Sequence, residues 1–161
     1  MSTRGGIRTL FFAFSVFTAG VIIPAESFAE TEGPIPSFAV EGFSGSIDST
    51  WLFVGRRVVL AVIGPSCPGV EPFLSFRKRL DLKGLTVKTD RALILCIGGK
   101  REEKDTPIWS APNEAMAALG ITGTPMLLGI EDNRVKWRMG GLVPKWQVLA
   151  ENWLREAMDN E

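Results

Sequence analysis

Arg57-Val58-Val59-Leu60-Ala61-Val62-Ile63-Gly64-Pro65-Ser66-Cys67-Pro68-Gly69-Val70 is the stretch from which the rest of the chain is read. After Arg57 the run is continuously apolar and largely β-branched, and it is bounded by Gly55 and Gly64. That is the pattern of a central strand covered on both faces. Beyond Pro68 the period changes. Val70, Phe73, Leu74 and Leu80 fall at helical spacing, with Arg77, Lys78 and Arg79 between them and Gly84 as the stop. A lone thiol, Cys67, therefore sits where a strand gives way to a helix. Ala92-Leu93-Ile94-Leu95-Cys96-Ile97 reads as a second buried strand ending at Gly98-Gly99. Strand, helix, strand in that order predicts a parallel, right-handed unit.

Working outward, Pro36-Ser37-Phe38-Ala39-Val40 predicts a short edge strand, and Gly42-Phe43-Ser44-Gly45 its turn. The charged residues from Lys100 to Asp105 read as a solvated loop. Ser110-Ala111-Pro112 has the hydroxyl and early proline of a helix start, with the helix running to Leu119 and closing at Gly120. Pro125 to Ile130, the turn Glu131-Asp132-Asn133, and Arg134 to Trp137 form a hairpin pattern. In the last segment Trp146, Leu149, Ala150, Trp153, Leu154 and Ala157 recur as one face of a helix. The whole predicts an α/β domain, a sheet with helices on both sides.

The N-terminus has a separate logic. Arg4 and Arg8 precede an apolar stretch from Leu10 to Ile23, and Ser27-Phe28-Ala29 places small residues where a signal peptidase reads. The expectation is a signal peptide over residues 1–29, a flexible lead over 30–35 and one domain over 36–161. An uncleaved N-terminal anchor is the alternative. The chain carries 18 basic and 18 acidic residues without long blocks, so no electrostatic footprint for nucleic acid is visible. It has no histidine, which removes the usual imidazole base and metal ligand, and its two cysteines are too few soft ligands for a zinc site. No cofactor or metal is called for.

Cys67 carries the case for chemistry. Unpaired amides at a helix start and the helix macrodipole favour a thiolate, the form that attacks disulfides. The competing reading makes it a small apolar residue packed under the first turn of the helix. Pro125, opening a strand after Gly120-Ile121-Thr122-Gly123-Thr124, is a candidate cis proline, the alternative being a trans proline at a strand start. Cys96 lies in an apolar run where burial is the default, at the same end of the sheet as Cys67. A bond between the two thiols requires their Cα atoms to approach within about 7 Å. Trp109, Trp137, Trp146 and Trp153 read as packing residues.

Taken together, Pro36-Ser37-Phe38, Gly55-Arg56-Arg57-Val58-Val59-Leu60, Pro65-Ser66-Cys67-Pro68, Gly123-Thr124-Pro125 and Gly140-Gly141-Leu142 make the chain resemble exported thioredoxin-like proteins. These are the thiol-disulfide oxidoreductases of the TlpA and ResA type and the MauD-like proteins of methylamine utilisation. The resemblance implies a thioredoxin-like three-layer α/β/α sandwich around a central mixed sheet. It also implies a periplasmic role in thiol-disulfide handling or in maturation of an exported partner. Residue by residue, Cys67 corresponds to the attacking cysteine, and Thr124-Pro125 with Pro68 to the surface that receives an extended peptide. Val70 stands where the resolving cysteine belongs, so a mixed disulfide at Cys67 has no neighbouring thiol to release it. Ile63 and Ala61 occupy places where many relatives carry an aromatic residue and a buried acid. In a second register, with Pro72 matched to the proline that follows the family motif, Cys67 becomes the second cysteine and Gly64 the first.

Whether the chain is an enzyme stays open at this point. One reading is a monothiol nucleophile with Cys96 as a redox partner. Another is a redox-inactive binding or scaffold module for an extracytoplasmic assembly. In either, the partner is an exported polypeptide or a protein bearing thiols or disulfides, and membrane contact comes through the N-terminal signal if it is uncleaved.

Overall fold

A computed structural model of the chain describes residues 33–68, 70–83, 91–103 and 106–158. The expected signal, most of the lead and the stop at Gly84 lie outside the described residues. The apolar run at the centre of the sequence is the centre of the sheet. Strand β3, Arg57–Ile63, is buried from Val58 onward. On one side it pairs in parallel with β4, Ala92–Ile97, from Val59 opposite Ala92 to Ile63 opposite Cys96. On the other it pairs antiparallel with β6, Met126–Glu131, from Arg57 opposite Glu131 to Val62 opposite Met126. Asp132 and Asn133, at φ of 46° and 59°, make a tight turn into β7, Arg134–Gly140. Two successive positive φ values match the right-handed twist of the hairpin strands.

Beyond β4 the sheet continues through β5, Trp109–Ala111, then β1, Ala39–Gly42, and β2, Gly45–Asp48. The seven strands run in the order β2-β1-β5-β4-β3-β6-β7. Alternation along the strands divides the core. Val59, Ala61, Ile63, Ala92, Ile94 and Cys96 face α2, Val70–Leu82, and α4, Trp146–Met158. Val58, Leu60, Val62, Leu93, Leu95 and Ile97 face α1, Thr50–Phe53, and α3, Glu114–Leu119. Strands clothed on both sides need apolar residues at every position, which is why β3 and β4 show no polar alternation. The result is a three-layer α/β/α sandwich with a mixed sheet.

The layer over α2 and α4 is held by aromatic contacts. Trp146 stacks on Phe73 with centroids 5.9 Å apart and meets Phe76 edge-on at 4.8 Å. Full burial of a side chain such as Phe76 contributes about 2–3 kcal/mol relative to exposure. Trp153 donates its indole N–H to the Val58 carbonyl at 3.2 Å, and the Arg57 guanidinium lies 4.3 Å above its ring. That guanidinium is also paired with Glu131. One end of β3 is thereby clamped to α4 and to β6.

Several expectations are corrected. The first strand is not Pro36–Val40 but Ala39–Gly42, because residues 35–38 are used as a plug: Ile35 and Phe38 are buried, and Ile35 exchanges hydrogen bonds with Asn133 through its amide at 2.7 Å and its carbonyl at 3.0 Å. The end of the lead is therefore anchored. A second strand, β2, pairs antiparallel with β1 across the Gly42 to Gly45 turn, and the one-turn helix α1 follows it. Ser49, fully buried, holds their junction by accepting the Phe38 N–H on Oγ at 3.0 Å and donating its own N–H to the Phe38 carbonyl at 2.9 Å. Ser110-Ala111 does not start a helix but ends β5, paired with Cys96 and Ile97. Pro112 then ends the ladder, having no N–H to give it. Helix α3 begins at Glu114 and closes at Gly120 in the left-handed conformation, φ 63°. On α4, Trp146, Ala150 and Leu154 form the buried line, whereas Leu149 is 45% exposed. Among the described residues no helix is long and apolar enough to cross a membrane.

Candidate functional site

At Gly64 the β3 chain leaves the sheet and turns. The Cys67 amide donates to the Gly64 carbonyl at 3.1 Å, closing a four-residue turn over Pro65 and Ser66, both exposed. Helix α2 starts at Val70, so Cys67 stands three residues ahead of its first residue. Its own amide is spent in the turn. Cys67 keeps 8% of its surface accessible and packs with Val70 and Ile63 in the core layer, while Pro68 is exposed.

The Thr124–Pro125 peptide bond is cis, with Thr124 exposed and Pro125 half-buried. The register of β3 on β6 brings this loop to Cys67's turn. Carried two residues past Val62 and Met126, it sets Gly64 opposite Thr124. The two are in contact range, since a Cβ built on Gly64 would lie 3.3 Å from the Thr124 hydroxyl oxygen. The Pro125 carbonyl accepts the Gly141 N–H at 2.9 Å, tying the loop to the end of β7.

Cys96 arrives at the same end of the sheet on β4. It pairs with Ile63, has no exposed surface and shares Cys67's apolar layer. Burial pushes its thiol above the ordinary pKa; the positive charge of Arg101 opposes that rise and negative charge on Cys67 adds to it. Both cysteines are free thiols. The loop after Cys96 is packed onto the Cys67 turn at two points. A Cβ on Gly99 would lie 2.6 Å from Cγ of Pro65, and Arg101 donates Nη1–H to the Cys67 carbonyl at 2.9 Å. Glu103 holds the same guanidinium through Nε and Nη2, both at 2.9 Å.

Sequence reasoning missed Gly99 and Arg101. Lys100 does stand in solvent, 76% exposed, but Arg101 next to it is a structural clip. Nothing in the charge pattern from Lys100 to Asp105 distinguishes one cation from the other. Among the described residues no cluster of histidine, cysteine, aspartate or glutamate could hold a metal ion. Four of the five tryptophans serve packing: Trp137 and Trp146 are buried, Trp109 and Trp153 half-buried, whereas Trp51 is exposed.

The sequence matches no protein-family model and no curated protein. Solved structures do resemble it. A protein given as a thiol:disulfide interchange protein DsbE, from Chlorobium tepidum, superposes with a TM-score of 0.59 at 15% identity, over 78% of this chain and 95% of that one. The exposed lipoprotein thioredoxin Etrx1 of Streptococcus pneumoniae gives 0.56 at 16% identity, over 75% and 99%. The thioredoxin domain of a thiol-disulfide oxidoreductase from Bacteroides vulgatus gives 0.52 at 12% identity, over 83% and 98%. With the sheet order, the mixed pairing about β3 and helices on both faces, these likenesses make the fold of this chain thioredoxin-like.

Proposed function

We propose that this chain is an exported thioredoxin-fold protein that handles thiols and disulfides, with Cys67 as a monothiol nucleophile beside the Thr124-Pro125 loop. One observation carries the reading: the Cys67 turn is built directly against Thr124 through Gly64, at the end of the central strand. A cysteine that keeps 8% of its surface accessible, beside an exposed loop, gives an extended polypeptide an edge to lie on and a thiolate to meet. Export is supported by the basic, apolar and small-residue order of the first 29 residues. The partner is an exported polypeptide bearing a thiol or disulfide.

The experiment is mass analysis of the purified chain after glutathione disulfide treatment near neutral pH, with Cys67→Ser as control. Modification that disappears in the control supports the reading, and a chain left untouched under native conditions refutes it. A second reading, a redox-inactive scaffold that binds through the Pro125 loop, draws on the packing of Cys67 in the apolar layer. An untouched thiol would favour it.

A further inference from the structure

A thiol that forms a mixed disulfide needs a second thiol to release the substrate, and Val70 occupies the nearest helical position. The remaining cysteine is placed to do this instead. Cys96 sits on the strand next to β3, across from Ile63, and its side chain points into the same layer as that of Cys67. The Cys67 turn and the loop that follows Cys96 are locked together by the Gly99 and Pro65 contact and by the Arg101 bond to the Cys67 carbonyl. We infer that Cys96 is the resolving thiol of this site, closing an internal Cys67–Cys96 disulfide. The inference rests on the nucleophilic role proposed for Cys67.

The chemistry balances. The Cys67 thiolate attacks a substrate disulfide RS–SR′, forming Cys67–S–S–R and releasing R′S⁻. Cys96, as its thiolate, then attacks the Cys67 sulfur. The Cys67–Cys96 bond forms, the bond to R breaks, and RS⁻ takes the proton Cys96 gave up. The substrate is reduced to two thiols and the protein dithiol is oxidised by two electrons, to be restored by an external dithiol.

Two features suit Cys96 to this step and not to a first attack. With no exposed surface it is shut off from bulk disulfides, and the other cysteine of its apolar layer is Cys67. Its protonation also follows the state of Cys67. Negative charge on Cys67 holds the Cys96 proton on, and that charge vanishes once Cys67 is in a mixed disulfide, while the Arg101 charge that favours the thiolate remains. The resolving thiolate thus becomes easier to form at the moment it is needed.

The test follows the reduced full chain after addition of glutathione disulfide, with acid quenching and mass analysis, in wild type, Cys96→Ala and Cys67→Ser. Wild type is expected to show a short-lived glutathione adduct that converts to a species lighter than the reduced chain by two hydrogens. In Cys96→Ala the adduct should persist about tenfold longer or more. Peptide mapping of the oxidised wild type, which needs no variant to fold, should recover the Cys67 and Cys96 peptides joined. An adduct as persistent in wild type as in Cys96→Ala, with no joined peptide, would overturn the resolving role and leave Cys67 as a monothiol. No adduct and no joined peptide in wild type would overturn both.

Discussion

The bare Cα of Gly99 lies under the ring of Pro65, with no room between them for a side chain. Through this contact the exit of β4 supports the turn that carries Cys67. Gly99→Ala should force the proline ring or the turn to move, at a cost of about 1–3 kcal/mol. The expected result is a lower urea midpoint together with a changed rate of Cys67 modification by glutathione disulfide. A midpoint equal to wild type would show that the ring yields freely.

Arg101 holds the same turn from the other side. Arg101→Met keeps the aliphatic stem and removes both the bond to the Cys67 carbonyl and the pairing with Glu103. The arginine side chain is 22% exposed, so the loss should be modest, about 1 kcal/mol by urea unfolding. Closure of the internal disulfide should slow several-fold, because the turn is no longer pinned and the Cys96 thiolate loses its nearby cation. Closure at the wild-type rate would reduce the clip to a purely architectural role.

Val70, at the first residue of α2, is 1% exposed and shares the apolar layer of Cys67. Val70→Cys should supply the thiol that the helix start lacks. Its expected effects are a disulfide between Cys67 and the introduced thiol in the oxidised chain, and insulin reduction about tenfold faster than wild type. The cost in stability should be about 1 kcal/mol, that of a smaller apolar side chain. An oxidised variant without that bond would show that residue 70 does not stand in the resolving position.

Glu151 on α4 tests the coupling of the two helices on one face. Lys83 and Arg155 hydrogen-bond its carboxylate, from 2.8 Å each, and hold its pKa below the ordinary value. A lowered folded-state pKa contributes stability above the unfolded value of 4.5 and loses it as pH falls through the folded value. Glu151→Gln should therefore cost stability at neutral pH, about 0.5–1 kcal/mol since both cations are partly exposed. The gap from wild type should close in acid. A pH-independent gap in chemical unfolding would assign the loss to packing.

Legibility in the sequence followed the length and repetition of each signal. Strands β3 and β4 announce themselves by unbroken apolar runs, and the left-handed closure of α3 by Gly120. The short elements are set by their partners. Trp109-Ser110-Ala111 becomes a strand because β4 offers it Leu95, Cys96 and Ile97, and nothing in three residues of mixed polarity says so. Ser49, wholly buried between hydrogen bonds to Phe38, looks like any turn serine until its partner eleven residues away is in place. At the site, glycine and proline mark the Cys67 turn and the Thr124-Pro125 loop because they constrain the backbone locally. Arg101 and Gly99 escape notice because their importance is a contact with residues more than thirty positions distant.

The complete enclosure of Cys96 has a practical corollary for measuring how this molecule breathes. In a Cys67→Ser background the one remaining sulfhydryl is shielded whenever the sheet is intact, so an alkylating reagent consumes it at a pace set by excursions that part β4 from α2. Dosing the reagent turns that residue into an internal clock for opening, separating the fluctuations of the buried layer from those of the surface loops around it.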